Sequence, residues 1–497
     1  VNVQRLLLTL LMSLLVTIPS GSFFLAQHLT KKVALNTITD NEVEYGIKMG
    51  LHDVIYHRFL AVEEESKEWF HLANILASKE KNIAFQLGTL YHIENDIPKA
   101  LFWYKAAVSL GHIKAKYELI DLYIADKQYL LAKNLLLALI NEQDSLYKLV
   151  NLTVDTGDGK LLDMLFPLLK KSDNQELLAQ LAKYQIMPVS SSIKRAQCLT
   201  SIQLFATSLE HLYKLEQLIS AVEKHPINQY FCFETPRYVS PKRLDCLTHN
   251  NKAIQCSATT WSRIQPEVQT RYIGLMLAQG GANVDNGILY IDAMDDVDVF
   301  IHELSHLLGF IDEYALPKNH RVCQREQLHM FSHNIAVLKP YYEGTKKEVL
   351  ALLEKQVPWF RAIDQEVPLL VRVGDKWKVG TPSQYVFNNH NTGKANVGLF
   401  ESETSKNTKV VAFKPTKIKT NLRYYEAPFI TLYAGFLQHR AENFLMPSYH
   451  YNVAKSLFKN DEEVLGMKWL QKALAQEVNG IHEYNNIRYE KVKRGKY

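Results

Sequence analysis

The chain has 497 residues, 47% of them hydrophobic and 22% charged, which excludes a disordered polymer and leaves room for several cores. Its net charge of +5 comes from Lys and Arg scattered along the chain, so no basic stripe marks a nucleic-acid partner. Five cysteines are an odd number, which leaves at least one unpaired or bonded to another chain.

After Arg5 comes an uncharged run from Leu6 to Gln27. A helix buried in a soluble core is rarely apolar on every face, so residues 1–28 read as a secretion signal. If Leu6 to Ala26 spans a bilayer, the run is instead an uncleaved membrane anchor. Ser20-Gly21-Ser22 supplies small residues for cleavage. The remainder is expected to be exported: periplasmic, attached to an inner membrane through residues 6–26, or secreted.

From about Thr37 to Leu181 the chain is rich in Leu, Ala and Tyr, with little β-branched alternation, which predicts helices. Within it Leu87, Leu90, Tyr91 and Ala100 recur as Leu119, Leu122, Tyr123 and Ala132, all offset by 32 residues. A period in the thirties, with small Ala where helices cross, predicts stacked helix pairs. The stretch Ala100 to Gly111, followed by Ala115 and Leu119, resembles a Sel1-type tetratricopeptide repeat. Residues 29–190 are therefore expected to form an α-helical repeat domain, and the resemblance implies a concave surface for a protein partner.

Composition changes at Met187-Pro188-Val189-Ser190-Ser191-Ser192, a linker pattern. Beyond it, Cys198, Cys232, Cys246 and Cys256 can form two disulfides in an exported chain, with the pairing open; buried free thiols are the other reading. Their spacing lacks the C-x-x-C of a structural zinc site. Gly287 to Ile291 predicts a short apolar strand. The acids between Asp292 and Asp298 suit the positive end of a helix starting near Asp296 or Val297.

That helix carries Phe300-Ile301-His302-Glu303-Leu304-Ser305-His306-Leu307-Leu308-Gly309. His302 and His306, four residues apart, project from one face and can share one Zn²⁺, with Glu303 as general base. In a straight helix Asp312 would lie roughly 9 Å beyond His306, too far for the same ion. Gly309 is where the chain can turn back, because glycine takes the left-handed C-cap conformation at little cost. Asp312 is then a candidate third ligand, with Glu313 as the alternative.

The pattern H-E-x-x-H-x-x-G-x-x-D resembles the metzincin metallopeptidases, with Asp where most members carry a third His. The metzincin-like spacing H-x-x-G-x-x-D favours Asp312 over Glu313 as the third ligand. The trailing Asp312-Glu313-Tyr314 is similar to the IgA-protease-type branch, and Val397-Gly398-Leu399-Phe400-Glu401 resembles a later segment of those enzymes. The resemblance implies a zinc endopeptidase acting on peptides or proteins, in an α+β zincin domain over residues 191–450. His439 to Tyr449 resembles the metzincin Met-turn, with Met446 as an apolar floor and Tyr449 as a donor to the oxyanion; Asn421 to Tyr425 is the rival stretch for that turn. His320, His329 and His333, near Cys323, read as surface histidines. Residues 451–497 are expected to be a short helical segment echoing the earlier repeats, ending in a solvated basic tail from Arg488 to Lys496. The expected fold class is α+β multidomain. The rival of another class is a repeat-based binding scaffold whose zinc domain is structural or inactive.

Overall fold

The computed structural model describes residues 22–172, 174–187, 198–248, 252–264, 267–385 and 397–477, with 490 and 492. Residues 6–21 of the N-terminal run, residues 188–192 of the linker and most of the basic tail lie outside them. Among the described residues no helix is long and apolar enough to cross a membrane. A helical region is followed by a mixed α/β region and closing helices, an α+β multidomain architecture. The chain forms two compact units, one up to Leu152 and one from Thr153 onward.

After helical residues 22–34, the first unit runs through α1 (Asp40–Lys48), α2 (His52–Ala61), α3 (Lys67–Leu76), α4 (Lys81–Ile93), α5 (Ile97–Ser109), α6 (Ile113–Ala125), α7 (Tyr129–Leu137) and most of α8 (Gln143–Asp155). The 32-residue offset is one helix pair: α4 and α6 start 32 residues apart, as do α5 and α7. Leu87, Ala100, Leu119 and Ala132 are all buried, so the recurring positions are those that pack between helices. Local structure repeats with them. Asn95 and Lys127 both take positive φ in three-residue turns, closed by Asp96 N–H to Tyr91 O and Gln128 N–H to Tyr123 O. The approach between α4 and α5 is close: a Cβ on Gly88 would stand 2.6 Å from the Tyr104 ring.

The second unit begins with the end of α8, then α9 (Gly159–Lys171) and α10 (Gln175–Lys183). These last helices belong with the sheet because Tyr238 ties to them: its hydroxyl donates to Val154 O at 2.7 Å and its N–H to Tyr184 O. The unit division thus falls ahead of the composition change at residue 187. Next come β1 (Thr200–Ala206), α11 (Leu209–Val222), β2 (Phe231–Phe233), β3 (Arg237–Tyr238), β4 (Cys246–Leu247), β5 (Gln255–Cys256), β6 (Tyr272–Leu277), β7 (Asn283–Asp285), β8 (Ile288–Asp292) and α12 (Val297–Leu307). The main sheet has the order β2-β1-β6-β8-β7, with β3 also on β1. Its strands are parallel except β7, which lies antiparallel to β8 at the edge. All six residues of β6 are buried, as strands covered on both faces require.

Disulfides join Cys198 to Cys232 and Cys246 to Cys256. The first ties the entry of β1 to its neighbour β2, and the second crosses the β4–β5 hairpin, where the two cysteines face each other in register.

Beyond α12 lie β9 (Ala336–Leu338), β10 (Tyr341–Tyr342), α13 (Lys346–Gln356), β11 (Leu370–Val373), β12 (Lys376–Val379), β13 (Phe400–Glu401) and β14 (Val411–Lys414), in two three-stranded sheets. Helix α14 (Thr431–Arg440) precedes the closing pair α15 (Tyr449–Lys459) and α16 (Glu463–Ala475). That pair is joined by a three-residue turn with positive φ at Asp461, as in the repeats. It packs Val453, Leu457, Trp469 and Leu470 against Ile273, Leu275 and Ile288 of the main sheet. The C-terminal helices are therefore part of the second unit's core.

Candidate metal centre

Helix α12 starts where the acids predict. Asp296 caps it, accepting from Asp298 N–H at 3.0 Å and Val299 N–H at 3.1 Å. Phe300, Ile301, His302, Glu303, Leu304, Ser305 and Leu307 are all buried, so a histidine and a carboxylate are held on a rigid element inside a core, with His306 half-buried one turn on.

The helix stops at Gly309, whose φ is +92°. Gly309 N–H donates to His306 O and Phe310 N–H to Ser305 O, the paired bonds of a glycine-terminated helix. A side chain there would also run into the backbone of Phe444. Glycine is required twice over, by its dihedral and by its neighbour.

The reversed chain brings Asp312 back. Its Oδ1 lies 3.1 Å from Nε2 of His302 and 3.1 Å from Nε2 of His306, and the two Nε2 atoms are themselves 3.1 Å apart. The ring tautomers follow from the opposite nitrogens: Nδ1 of His302 donates to Asn421 O at 2.7 Å and Nδ1 of His306 to Phe310 O at 3.1 Å. Two Nε2 lone pairs and a carboxylate oxygen therefore face one another, an arrangement that repels unless a cation or a proton sits among them. A triangle of this size is close to the roughly 3.3 Å edge of a tetrahedron whose ligands stand at 2.0–2.1 Å. These three residues could hold a metal ion.

The same closeness shifts the titration of these groups. Burial alone would lower the His306 pKa, but the Asp312 carboxylate overrides it and pushes the imidazole up to about 10. Burial likewise works to raise Asp312, and His306 more than reverses it, holding the carboxyl well below its usual range. Glu303 goes the other way. Burial, with the nearby Asp312 and Asp295 carboxylates, pushes it up to about 8 despite His306. Its Oε2 is buried with no hydrogen-bond partner among the described residues.

Glu313 points elsewhere. Its carboxylate is paired with Lys414 at 2.5 Å and bonded by Thr420 at 2.9 Å, Asn334 at 3.3 Å and Tyr433, so its oxygens are occupied away from the triangle.

Tyr449 is a correction. Its ring is 1% exposed, packed beside Trp469, and its hydroxyl donates to Val268 O at 2.9 Å. Facing the core, it is not an oxyanion donor at this site. The phenols beside the histidines are Tyr425, whose ring stands edge-on to His302 at 4.7 Å, and Tyr314, stacked over it at 6.4 Å. Burial holds both above the usual phenol pKa, with the site carboxylates adding to it. Of the two stretches considered for the turn, Asn421 to Tyr425 is the one that touches His302. Met446 lies at the helix end instead, its N–H on Leu307 O at 3.0 Å and its sulfur accepting from Gly287 N–H at 3.2 Å.

His333 is a second correction: it is buried, wedged between Phe310 and Phe444, because the glycine turn folds back over it and accepts its N–H at Gly309 O. Cys323 is a buried free thiol donating to Thr404 O. Compared with known proteins, the chain matches no protein-family model and no curated protein sequence.

Proposed function

We propose that the chain is an exported zinc-dependent metallopeptidase of metzincin character, hydrolysing peptide bonds with Glu303 as general base. The observation that carries the reading is the triangle of donors 3.1 Å on a side with the unpartnered Glu303 oxygen in the same buried site. A closed structural site has no use for such a base. Two disulfides in the same unit support export.

A divalent ion held by His302, His306 and Asp312 would supply Lewis-acid polarisation of a scissile carbonyl and lower the pKa of an attacking water. Glu303 takes the proton from that water and passes it to the leaving amine. Its burial makes it a stronger base than an exposed carboxylate. Asn421 O and Phe310 O orient the two imidazoles by holding their Nδ1 protons, which fixes the ligand nitrogens. Tyr425, kept protonated beside His302, donates to the developing oxyanion in the place the sequence assigned to Tyr449. The helical repeats offer a surface to a protein partner, with Phe102, Ile113 and Leu130 exposed on consecutive helices.

Metal content of the purified protein, measured with cleavage of a diverse peptide library, tests the proposal. Stoichiometric zinc with cleavage is the expected result. Stoichiometric zinc without cleavage of any peptide would favour the binding scaffold, and absence of zinc would refute the metal site. Asp312→Ala should abolish stoichiometric zinc, because two imidazoles alone hold the ion poorly.

Metal uptake should also release protons. Against burial, the Asp312 carboxylate pushes the His306 imidazole up to about 10, and it must be neutral to bind a metal, so affinity is lost as pH falls below that value. Between about pH 6 and 9 the affinity should rise by about tenfold per pH unit for each proton released. Calorimetry in buffers of different ionisation enthalpy would count that proton, and uptake independent of pH would contradict the assignment.

A further inference from the structure

We propose that Glu313 is the positioning residue of the metal centre, fixing the direction of both Asp312 and His302 without touching the metal itself. The proposal rests on reading His302, His306 and Asp312 as a metal site. It begins from a cost. Glu313 is 1% exposed, and a buried carboxylate is expensive unless it is paired and fully hydrogen-bonded. Here both conditions are met, by donors from four separate parts of the chain: Lys414 at the end of β14, Tyr433 of α14, Thr420 in the loop between them, and Asn334 before β9. Replacing the whole buried pair with apolar residues of similar volume is often neutral or stabilising, so stability alone does not call for the charge. What the carboxylate adds is direction.

The direction reaches the site by two routes. The first is through its own backbone. Asp312 is the preceding residue, its carbonyl accepting from Thr404 Oγ1 at 2.7 Å, while Glu313 N–H donates to Leu422 O at 2.9 Å and Glu313 O accepts from Ser402 at 3.1 Å. Asn334, which also binds the Glu313 carboxylate, holds Ile311 through both its N–H and its carbonyl, at 2.9 and 2.8 Å. With the chain fastened on each side of it, the Asp312 side chain has one way to face. The second route runs through residues 420–422. Thr420 binds the Glu313 carboxylate, Leu422 O accepts the Glu313 N–H, and between them Asn421 O receives Nδ1 of His302. Three consecutive residues thus lock the Glu313 carboxylate to the ring orientation of His302. Lys414 stiffens the same loop by donating to Ile418 O at 3.2 Å.

The test is Glu313→Gln, which keeps the shape and removes the charge. Zinc affinity is read by competition with a chromophoric chelator, and ligand geometry by the visible absorption of the Co²⁺-loaded protein. Fold is checked by circular dichroism. The expected result is a folded variant with zinc bound about 10- to 100-fold more weakly, the usual effect of losing a group that orients ligands, and with altered Co²⁺ bands. A purely structural role would lower stability and leave those bands unchanged. Affinity within twofold of wild type with the same Co²⁺ spectrum would overturn the proposal. If Glu313→Gln does not fold, Tyr433→Phe and Thr420→Val decide it, since each removes one donor. Weaker zinc binding in either supports it, and wild-type binding in both overturns it. If the wild-type chain itself takes up no zinc or Co²⁺, the metal reading falls and this proposal falls with it.

Discussion

Glu303→Gln is expected to keep the fold and the bound zinc while peptide hydrolysis falls by at least about 10²-fold, the contribution of a well-placed base. The amide matches the carboxylate in shape, so the buried α12 face is undisturbed, and the three donor atoms belong to other residues. What it cannot do is accept a proton. In the wild type that proton has somewhere to go, because Glu303 Oε2 is buried with no donor and burial has raised its pKa to about 8. The measurement is kcat on a cleaved peptide beside the zinc content of the same sample. A variant that loses zinc or unfolds would make Glu303 structural and the mechanism wrong. The pH profile carries a sign as well. A group whose folded pKa is raised costs stability as it ionises, so the metal-free protein should lose stability as pH rises from the ordinary carboxylate range through about 8.

Glu477→Ala is expected to destabilise the second unit by about 3–5 kcal/mol, the cost of leaving a buried ion without its partner. Arg271 and Glu477 form an ion pair at 3.0 Å with both side chains 4% exposed. Arg271 also donates to Met446 O at 2.9 Å, to the Tyr272 hydroxyl at 3.1 Å and to Gln476 O. The one Tyr272 hydroxyl proton is in turn shared between Leu307 O at 2.9 Å and Met446 O at 2.8 Å. Glu477, two residues beyond α16, is thereby wired to the final carbonyl of α12. Denaturant unfolding should show a lower midpoint with an unchanged slope. A shift below about 1 kcal/mol, the range of an exposed pair, would show that water reaches the arginine.

The parts of the site legible in the sequence are those close together along the chain. His302 and His306 follow from one helical turn, and Gly309 announces the reversal that returns Asp312. Of the distant parts, only the stretch from Asn421 to Tyr425 carries a signal, as the rival for the methionine turn. Asn421, Tyr425, Lys414 and Tyr433 reach the centre from about a hundred residues downstream, and no spacing rule connects them to the helix. Tyr449 misled because it stands near a methionine resembling a known turn, while its side chain follows the amphipathic face of α15 into the core. His333 misled because composition marks histidine as a surface residue, whereas two phenylalanines around the glycine turn enclose it. The first unit was legible in its period, since Leu87 and Leu119 mark the same buried position. The joining of the ends of α8 and α10 to the sheet depends on Tyr238, which reaches Val154 across 84 positions and also Tyr184.

The three-residue turns at Asn95 and Lys127 leave each helix pair ending in the conformation from which the next one starts. A chain built this way can gain or lose one whole pair, 32 residues, and keep the remaining interfaces. A one- or two-residue insertion within a helix would instead rotate its buried stripe by about 100° per residue and expose it. The stretch from α4 to α7 is therefore a measuring stick with fixed graduations: the change of length it tolerates is one helix pair, set by its turns and not by the chemistry carried by the second unit.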